Sequence, residues 1–448
     1  MVKNLIKPSL KPRLHAYEII KLSITQDIQL SNALNSCLYN INNISNIDKR
    51  FITMIVQGTM RLCGRLDWEI KQVYNGKLNK LKLNIKIILR MGVFQLLFMD
   101  KVPNYAAIDT SVNLAKIISP NLKSLTNALL RAIISKQNKN FPTKNSSLKE
   151  LSQYLSHPEW LIEKWIKDIG FNKTKKLVNW NNKAPIFWFR VNTSIYTIES
   201  FRKYLKLEKI EFIQFSELKE FFKISNHQYI IQSEIFKQGL ISVQDPSAGL
   251  VVNLLNPQKG EIIIDACSAP GGKTSYISEK LNNQGEILSY DINIKRLNKL
   301  ISNLSRLKIN NVKAELKDVA NDKLDKADKM LLDIPCTGTG VISKKPDIKW
   351  RKNSNQLLEM SYLQKKILWN AAKFINPGGI LVYSSCSIEP EENSFIIEDF
   401  LENHPQFNLE PGNLFISKKY IDDKGFMTTT PHQHKIDGSF AARLKLND

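Results

Sequence analysis

After about residue 240 the chain repeats one pattern: a short apolar run, a polar turn, then a helix-length stretch, with runs at 262–264, 286–290, 312–316, 330–332 and 380–383. Runs spaced this way cannot close as hairpins, so they specify an α/β domain, a parallel, doubly wound sheet with helices on both faces. Helices are expected after Lys273, Ile294, Gln356 and Glu391, and a later pair of strands near Phe407 and over 440–446. The turns add a second constraint. Asp265, Asp291 and Asp333 close three of the runs and Asp318 follows another. A single Asp there is commonly a cap or turn former, but four on successive strands crowd one crevice, where open α/β sheets bind ligands.

Two of the turns carry thiols. Asp333-Ile334-Pro335-Cys336 follows one apolar run, and Tyr383-Ser384-Ser385-Cys386-Ser387 ends another about fifty residues on. A thiolate is a good nucleophile at neutral pH, and an electron-poor ring carbon such as C6 of a pyrimidine is a target suited to it. The class this points to is a covalent enzyme acting on a base. The remaining cysteines, Cys37, Cys63 and Cys267, make the total five. An odd, scattered set without CxxC spacing excludes a disulfide framework or zinc site and fits a reducing compartment. Cys37 and Cys63 lie on apolar helical faces and read as buried small residues. At Cys267 the backbone matters more than the thiol.

Between the first strand and its helix stands Asp265-Ala266-Cys267-Ser268-Ala269-Pro270-Gly271-Gly272-Lys273-Thr274. Glycines let a ligand approach the backbone, and a helix N-terminus favours negative charge. The last three residues end like a P-loop, but GxxxxGK[ST] needs glycine where Cys267 stands, and Pro270 removes an amide that would cradle phosphate. No GxGxxG is present, so ATP and NAD are both disfavoured. A nucleoside cofactor with a small anionic end fits better. Its carboxylate would sit at the glycine loop and its ribose on Asp291, nineteen positions after Gly272, with Asp318 in the next turn. Asp333 would reach its cationic part or the substrate ring. S-adenosylmethionine matches this set.

The other half reads differently. From 14 to 136 apolar residues recur at three and four, as in Leu14, Tyr17, Ile20 and Ile88, Met91, Leu96, which predicts an all-α domain over 1–140. Residues 137–149 read as a linker, 150–240 as a small α+β domain with strands at 186–191 and 229–232, and 241–448 as the catalytic domain. A net charge of +22, from 64 Lys plus Arg against 42 Asp plus Glu, attracts a polyanion, and nucleic acid is the expected partner. Arg61, Arg65, Arg90 and Arg131 suit a phosphate-binding surface or a plain helical bundle equally. Phe187-Trp188-Phe189-Arg190 reads as a half-buried strand with Arg190 a candidate for phosphate. Lys344, Lys345, Lys349 and Arg351 lie on a charged loop expected to meet the phosphates flanking the target. His432 and His434 have no third ligand at sensible spacing, so no metal is expected. With no secretory h-region and no uninterrupted apolar span, the expectation is a soluble, cytoplasmic protein, by default a monomer.

Taken in order, Asp265 to Thr274, Asp333-Ile334-Pro335-Cys336-Thr337-Gly338-Thr339-Gly340, Lys345-Pro346-Asp347-Ile348-Lys349-Trp350 and Ser384-Ser385-Cys386-Ser387-Ile388-Glu389-Pro390-Glu391-Glu392-Asn393 resemble the Sun family of RNA cytosine-C5 methyltransferases. Further likeness comes from Ile241 to Ala248, Asp437-Gly438-Ser439-Phe440, and Arg90 to Leu96 with Val102 to Ala107, the last two resembling the helical, RNA-binding NusB domain. The resemblance covers essentially the whole chain. It implies a Rossmann-like methyltransferase domain preceded by a NusB-like domain, and 16S rRNA as substrate, taken before ribosomal-protein assembly is complete. It further implies that Cys267, Ser268, Ala269, Pro270, Gly271, Gly272, Lys273, Asp291, Asp318 and Asp333 hold S-adenosylmethionine. Cys386 is then the nucleophile and Cys336 assists release. Chemistry alone leaves the choice of attacking thiol open, since DNA cytosine methyltransferases use the Pro-Cys thiol, here Cys336. Two departures stand out: Ser385 replaces a more usual threonine and should be neutral, whereas Lys317, where a glycine often stands, bears on the placement of Asp318.

The implied chemistry follows from cytosine, whose C5 is a poor nucleophile until a thiolate adds at C6. A hydrogen bond or proton at N3, for which Asp333 is the candidate, favours that addition. C5 then takes a methyl group, loses its proton to a base, and the thiol departs by β-elimination. A stacked base hides C6, so the target is single-stranded or flipped. A tRNA substrate, or a non-catalytic assembly factor, are the rival readings. Retention of both thiols argues against the second, and the NusB-like part favours rRNA over tRNA.

Overall fold

The computed structural model describes residues 8–41, 44–136 and 141–448, so the N-terminal segment 1–7 and the start of the expected linker, 137–140, lie outside the described residues. Two compact units divide the chain: Met1–Ala184 with Ile342–Lys352, and Pro185–Val341 with Asn353–Asp448.

In the first unit helix Leu83–Phe98 carries Ile85, Ile87, Ile88, Leu89, Met91 and Val93, all buried, so it is apolar on nearly every side, as a central helix must be. The helices Lys11–Thr25, Asn46–Arg61 and Asn104–Ile118 pack around it. Its one buried amide, Gln95, accepts a hydrogen bond from Arg13 Nε at 2.7 Å. Ser45 caps Asn46–Arg61 by accepting the Asp48 N–H at 3.0 Å. Helix Leu148–Tyr154, which begins inside the expected linker, and helix Glu159–Asn181, which lies in the expected middle domain, group with this unit, and Gly170 (φ 78°, ψ 160°) breaks the second of them.

Three of the four helical arginines serve the bundle. Arg90 donates two bonds of 2.7 Å to Asp67. Arg65 pairs with Glu69 at 3.0 Å and lies 4.1 Å over the ring of Tyr154, while Arg61 is buried and donates to the Ser343 carbonyl at 3.0 Å. Arg131 alone stays on the surface, bonded to Asn127.

The segment Ile342–Lys352 corrects a second expectation. Lys349 is 1 % exposed, donating to the carbonyl of Arg61 at 2.9 Å and to Asn182 Oδ1 at 3.1 Å. Trp350 donates to the Met60 carbonyl, Asp347 accepts the Leu30 N–H, and Arg351 pairs with Asp27 at 3.0 Å. Lys349 is therefore closed to RNA phosphate and Arg351 is committed to a carboxylate; Lys345 stays exposed and Lys344 half-buried. Charge composition alone cannot tell a solvated loop from one folded into a bundle.

The second unit holds two sheets. Strands β1 (Trp188–Val191), β2 (Phe212–Gln214), β3 (Phe221–Ile224) and β4 (Ile241–Val243) form an antiparallel sheet in the order β2-β3-β1-β4. β1 is buried on both faces: Phe189 and Val191 pack with Phe201 and Phe222, and Trp188 with Phe221 and Leu250. The strand expected at 229–232 is instead the helix His227–Gln232. β1 already has β3 and β4 as neighbours, so this segment has no central strand to pair with, and Ile230 is its one buried residue.

The larger sheet comprises β5 (Ile262–Ala266), β6 (Glu286–Asp291), β7 (Val312–Leu316), β8 (Ala327–Asp333), β9 (Ile375–Ser385), β10 (Phe407–Glu410), β11 (Met427–Thr429) and β12 (Ser439–Leu446). The order is β10-β12-β9-β8-β5-β6-β7, with β5 to β9 parallel, β12 antiparallel to β9, and β10 and β11 antiparallel to β12. Every strand expected for this sheet is present; β11 was not expected. Ile264, Met330 and Leu381 are buried on one face and Ile263, Leu331 and Val382 on the other, the mark of a sheet covered on both sides. From β5 the chain winds outward through β6 and β7, then returns to lay β8 and β9 on the opposite side. That reversal opens a crevice at the carboxyl ends of β5 and β8. No described helix is long and apolar enough to cross a membrane.

Candidate active site

The crevice is lined from the strand ends. After β5, Cys267 adopts φ 60° and Gly271 φ 94°, left-handed turns that lead into helix Gly272–Lys280. Gly271 offers no side chain to cap that helix, so its first N–H groups remain open to an anion. Asp291, at the end of β6, accepts the Asn293 N–H with Oδ1, while its Oδ2 is buried with no hydrogen bond, 3.4 Å from Arg296. A buried acceptor left over in this way suits a ribose hydroxyl. Asp318 is half-buried and accepts the Ala320 N–H and the Asn321 amide, closing its own turn. Lys317 turns away from it to Asp325 at 2.7 Å and lies 4.4 Å over the ring of Tyr290. The residues present therefore fit a nucleoside cofactor with an anionic end. Burial and the charges of Asp333, Asp291 and Asp265 push the Cys267 thiol up to about 12, which leaves it inert, and burial raises Asp265 to about 7 although Thr274 donates to it at 2.5 Å.

β8 and β9 are adjacent, and their turns bring the other two thiols together: Cys336 Sγ and Cys386 Sγ are 3.0 Å apart, both half-buried. Beside them Lys273 Nζ is 2.7 Å from Asp333 Oδ2, and Ser384 donates to Asp333 Oδ1 at 3.1 Å. Burial alone would lower Lys273, but the charge and hydrogen bond of Asp333, with Cys386 and Asp265 adding, hold the ammonium above its ordinary value. The hydrogen bond to Cys386, then burial, then the charges of Cys386 and Glu392, push the Cys336 thiol well up. Cys336 is thus held toward its protonated form, while the charge of Cys386 is among the influences that raise Lys273.

Three matches place these features. The description "16S rRNA methyltransferase RsmB/F" fits residues 252–445, "NusB family" fits 11–135, and the ferredoxin-like domain of RsmF/B-like methyltransferases fits 157–230. The probable ribosomal RNA small subunit methyltransferase B of Bacillus subtilis is 30 % identical, over 95 % of this chain and 96 % of its own. The ribosomal RNA small subunit methyltransferase B of Yersinia pestis is 31 % identical over 94 % and 96 %. The chain belongs to the RsmB/F family of 16S rRNA methyltransferases. The crystal structure of PH0851 shares the fold of this RsmB/F chain with a TM-score of 0.80 at 30 % identity, covering 98 % of this chain and 99 % of that one. The ferredoxin-like match takes in β1, β2 and β3 of the small sheet together with helix Glu159–Asn181, and the first unit contains the NusB-like helices.

Within this RsmB/F site one expectation fails outright. Arg190 is 0 % exposed and paired with Glu279 at 2.6 Å, so it is not available to phosphate. A half-buried strand reading left its face undetermined, and that face is turned inward. The sequence reading also passed over Glu392. Its Oε1 accepts from the Thr337 N–H at 2.8 Å and Gln364 Nε2 at 2.9 Å, and its Oε2 from the Thr337 hydroxyl, so one carboxylate ties the Cys336 turn to the helices behind it. Asn393 braces the other turn, accepting from Ser385 Oγ at 2.6 Å and donating to the Ser387 carbonyl at 3.0 Å. Both lie within the Ser384 to Asn393 motif, where polar residues just beyond the second thiol were the available signal. Ser385 uses only its hydroxyl in these bonds, which threonine would supply equally.

Proposed function

We propose that the chain methylates C5 of a cytosine in 16S rRNA, with Cys386 as nucleophile, Cys336 as the thiol that assists release, and S-adenosylmethionine as methyl donor. The observation that carries this reading is the pair of thiols 3.0 Å apart at the ends of neighbouring strands, beside the Lys273–Asp333 ion pair and facing the glycine loop. Cys386 adds to C6, with the ammonium of Lys273 favouring its thiolate. Asp333, oriented by Lys273 and Ser384, engages N3 through a shared proton, the carboxyl carrying that proton and donating it as negative charge builds on the ring. Cys267 to Lys273, Asp291, Asp318 and Asp333 would hold S-adenosylmethionine, whose sulfonium would supply the methyl for the activated C5 and leave as the neutral thioether. A base then takes the C5 proton, the Cys386–C6 bond breaks by β-elimination, and Cys336, held toward its protonated form, hydrogen-bonds the departing Cys386 thiolate. The NusB-like helices, exposed Lys345 and half-buried Lys344 contribute to RNA binding, and the cell compartment is the cytoplasm.

The test is transfer of labelled methyl from S-adenosylmethionine to protein-free, unmodified 16S rRNA, with tRNA alongside and the product nucleoside identified. Label recovered as 5-methylcytosine in 16S rRNA alone is the expected result. Label on tRNA, on another atom, or on neither RNA despite bound cofactor overturns it.

A further inference from the structure

Arg190 reaches from β1 of the ferredoxin-like domain into the first turns of the helix that begins at the glycine loop. Its Nη1 donates to the Gly272 carbonyl at 3.2 Å and to Gln244 Oε1, and its Nη2 to Ser275 Oγ at 3.0 Å and Glu279 Oε1 at 2.6 Å. The guanidinium also lies 4.6 Å over the ring of Tyr276. Ser275 in turn donates to the Gly272 carbonyl at 2.9 Å, so the last residue of the loop is held twice. A fully buried, planar guanidinium that divides its two amino groups among four acceptors fixes geometry in a way a lysine cannot reproduce.

A second grip acts on the neighbouring helix, Ile294–Arg306. Asn192, two residues beyond Arg190, donates to the carbonyls of Gly239 at 3.2 Å and Leu307 at 3.1 Å. Arg306 donates to the carbonyls of Phe236 at 2.7 Å and Ile241 at 3.1 Å. The approach is close enough that any Cβ on Gly239 (φ 76°) would overlap the Arg306 carbonyl. From the same helix, Arg296 donates to the Ala269 carbonyl at 2.5 Å and Asn303 to that of Pro270 at 2.9 Å. The loop 269–272 is thus fastened at both ends by contacts that trace back to the small sheet.

We propose that the ferredoxin-like domain is a brace for the cofactor site, with Arg190 a positioning residue that sets the conformation of the glycine loop and hence the affinity for the nucleoside cofactor. This rests on the reading that the crevice binds S-adenosylmethionine, and it gives the domain a task distinct from holding RNA. Arg190 touches neither substrate nor cofactor; it acts through Gly272, Ser275 and Glu279.

The experiment is calorimetric titration of the full-length chain with S-adenosylmethionine, for the parent, Arg190→Lys, Arg190→Met and Ser275→Ala, beside binding of 16S rRNA at several salt concentrations. Ser275→Ala keeps the ion pair with Glu279 and guards against a misfolded Arg190→Met. Cofactor affinity is expected to fall on the order of tenfold or more in Arg190→Met and by less in Ser275→Ala, with Arg190→Lys recovering part of the loss. KM for the cofactor rises in step while kcat, rRNA affinity and its salt dependence stay at parent values. Unchanged cofactor affinity in a folded Arg190→Met or Ser275→Ala chain overturns the brace, as does a weaker rRNA affinity with a shallower salt slope, which marks a phosphate contact. Absence of cofactor binding in the parent itself overturns the reading of the crevice instead.

Discussion

Lys273 and Lys349 are both lysines inside sequence motifs, and both are withdrawn from solvent, yet the two regions treat them in opposite ways. In the crevice Lys273 stands among carboxylates, 2.7 Å from Asp333, and its ammonium is held above its ordinary value. In the helical unit Lys349 has, among the described residues, a carbonyl and an amide oxygen as hydrogen-bond partners, and burial, with the charge of Arg61 adding, drives it well below. Burial likewise lowers Arg61 to about 10, and His157 beside them falls well below its usual range. A site built for chemistry gathers opposing charges so that a proton or an anion has a place to go. A packing site tolerates a charge only by weakening it.

The strongest way to separate the regions is through their thiols. Cys386→Ala is expected to reduce methyl transfer to background with S-adenosylmethionine binding intact, whereas Cys63→Ala in the helical unit, where burial pushes the thiol up to about 11, leaves turnover at parent level. Radiolabel transfer assays on the two variants read this directly, and normal turnover in Cys386→Ala removes the nucleophile assignment. Next in size, Cys336→Ala should stall after one turnover and leave an RNA adduct that survives denaturing electrophoresis. A freely turning-over Cys336→Ala enzyme would leave its release role without support.

Asp291→Ala should cost about 1.5–3 kcal/mol of cofactor affinity, the worth of a hydrogen bond to a charged group, measured by calorimetry. The same affinity in parent and variant would place the ribose elsewhere. The smallest effect concerns stability and pH. Lys349 binds its proton less tightly folded than unfolded, where 10.5 is the ordinary value, so the unfolded chain holds more protons and stability rises with pH until that value is passed. Each tenfold loss of proton affinity is worth about 1.4 kcal/mol. Urea midpoints from pH 7 to 10 should therefore climb more steeply in the parent than in Lys349→Met, and parallel curves would mean that Lys349 is not the group responsible.

What was legible in the sequence follows the same division. The parallel strands, the four strand-end carboxylates and the neighbouring thiols each leave a local signature, because period, turn chemistry and reactive residue coincide within a few positions. Arg190 and Lys349 leave none. Their partners, Glu279 and the Arg61 carbonyl, lie 89 and 288 residues away, and a basic residue in a polar stretch reads the same whether solvent or a buried acceptor awaits it. The segment at 229–232 failed for a related reason: strand propensity is a statement about neighbours, and the neighbours of β1 were already taken. β11 is three residues long, too short for alternation to register.

The Gly340 N–H donates to the Cys386 carbonyl at 3.0 Å and the Gly438 N–H to the Gly340 carbonyl at 2.9 Å, at an approach so close that a Cβ on Gly340 would overlap Gly438. Main-chain bonds therefore join the side-chain bonds of Glu392, Asn393 and Thr339 in holding the two sulfur-bearing turns in register. Two glycine hydrogens thus act as the spacer of the site: a methyl group in place of either one would wedge the turns apart, and the distance between the sulfurs with them.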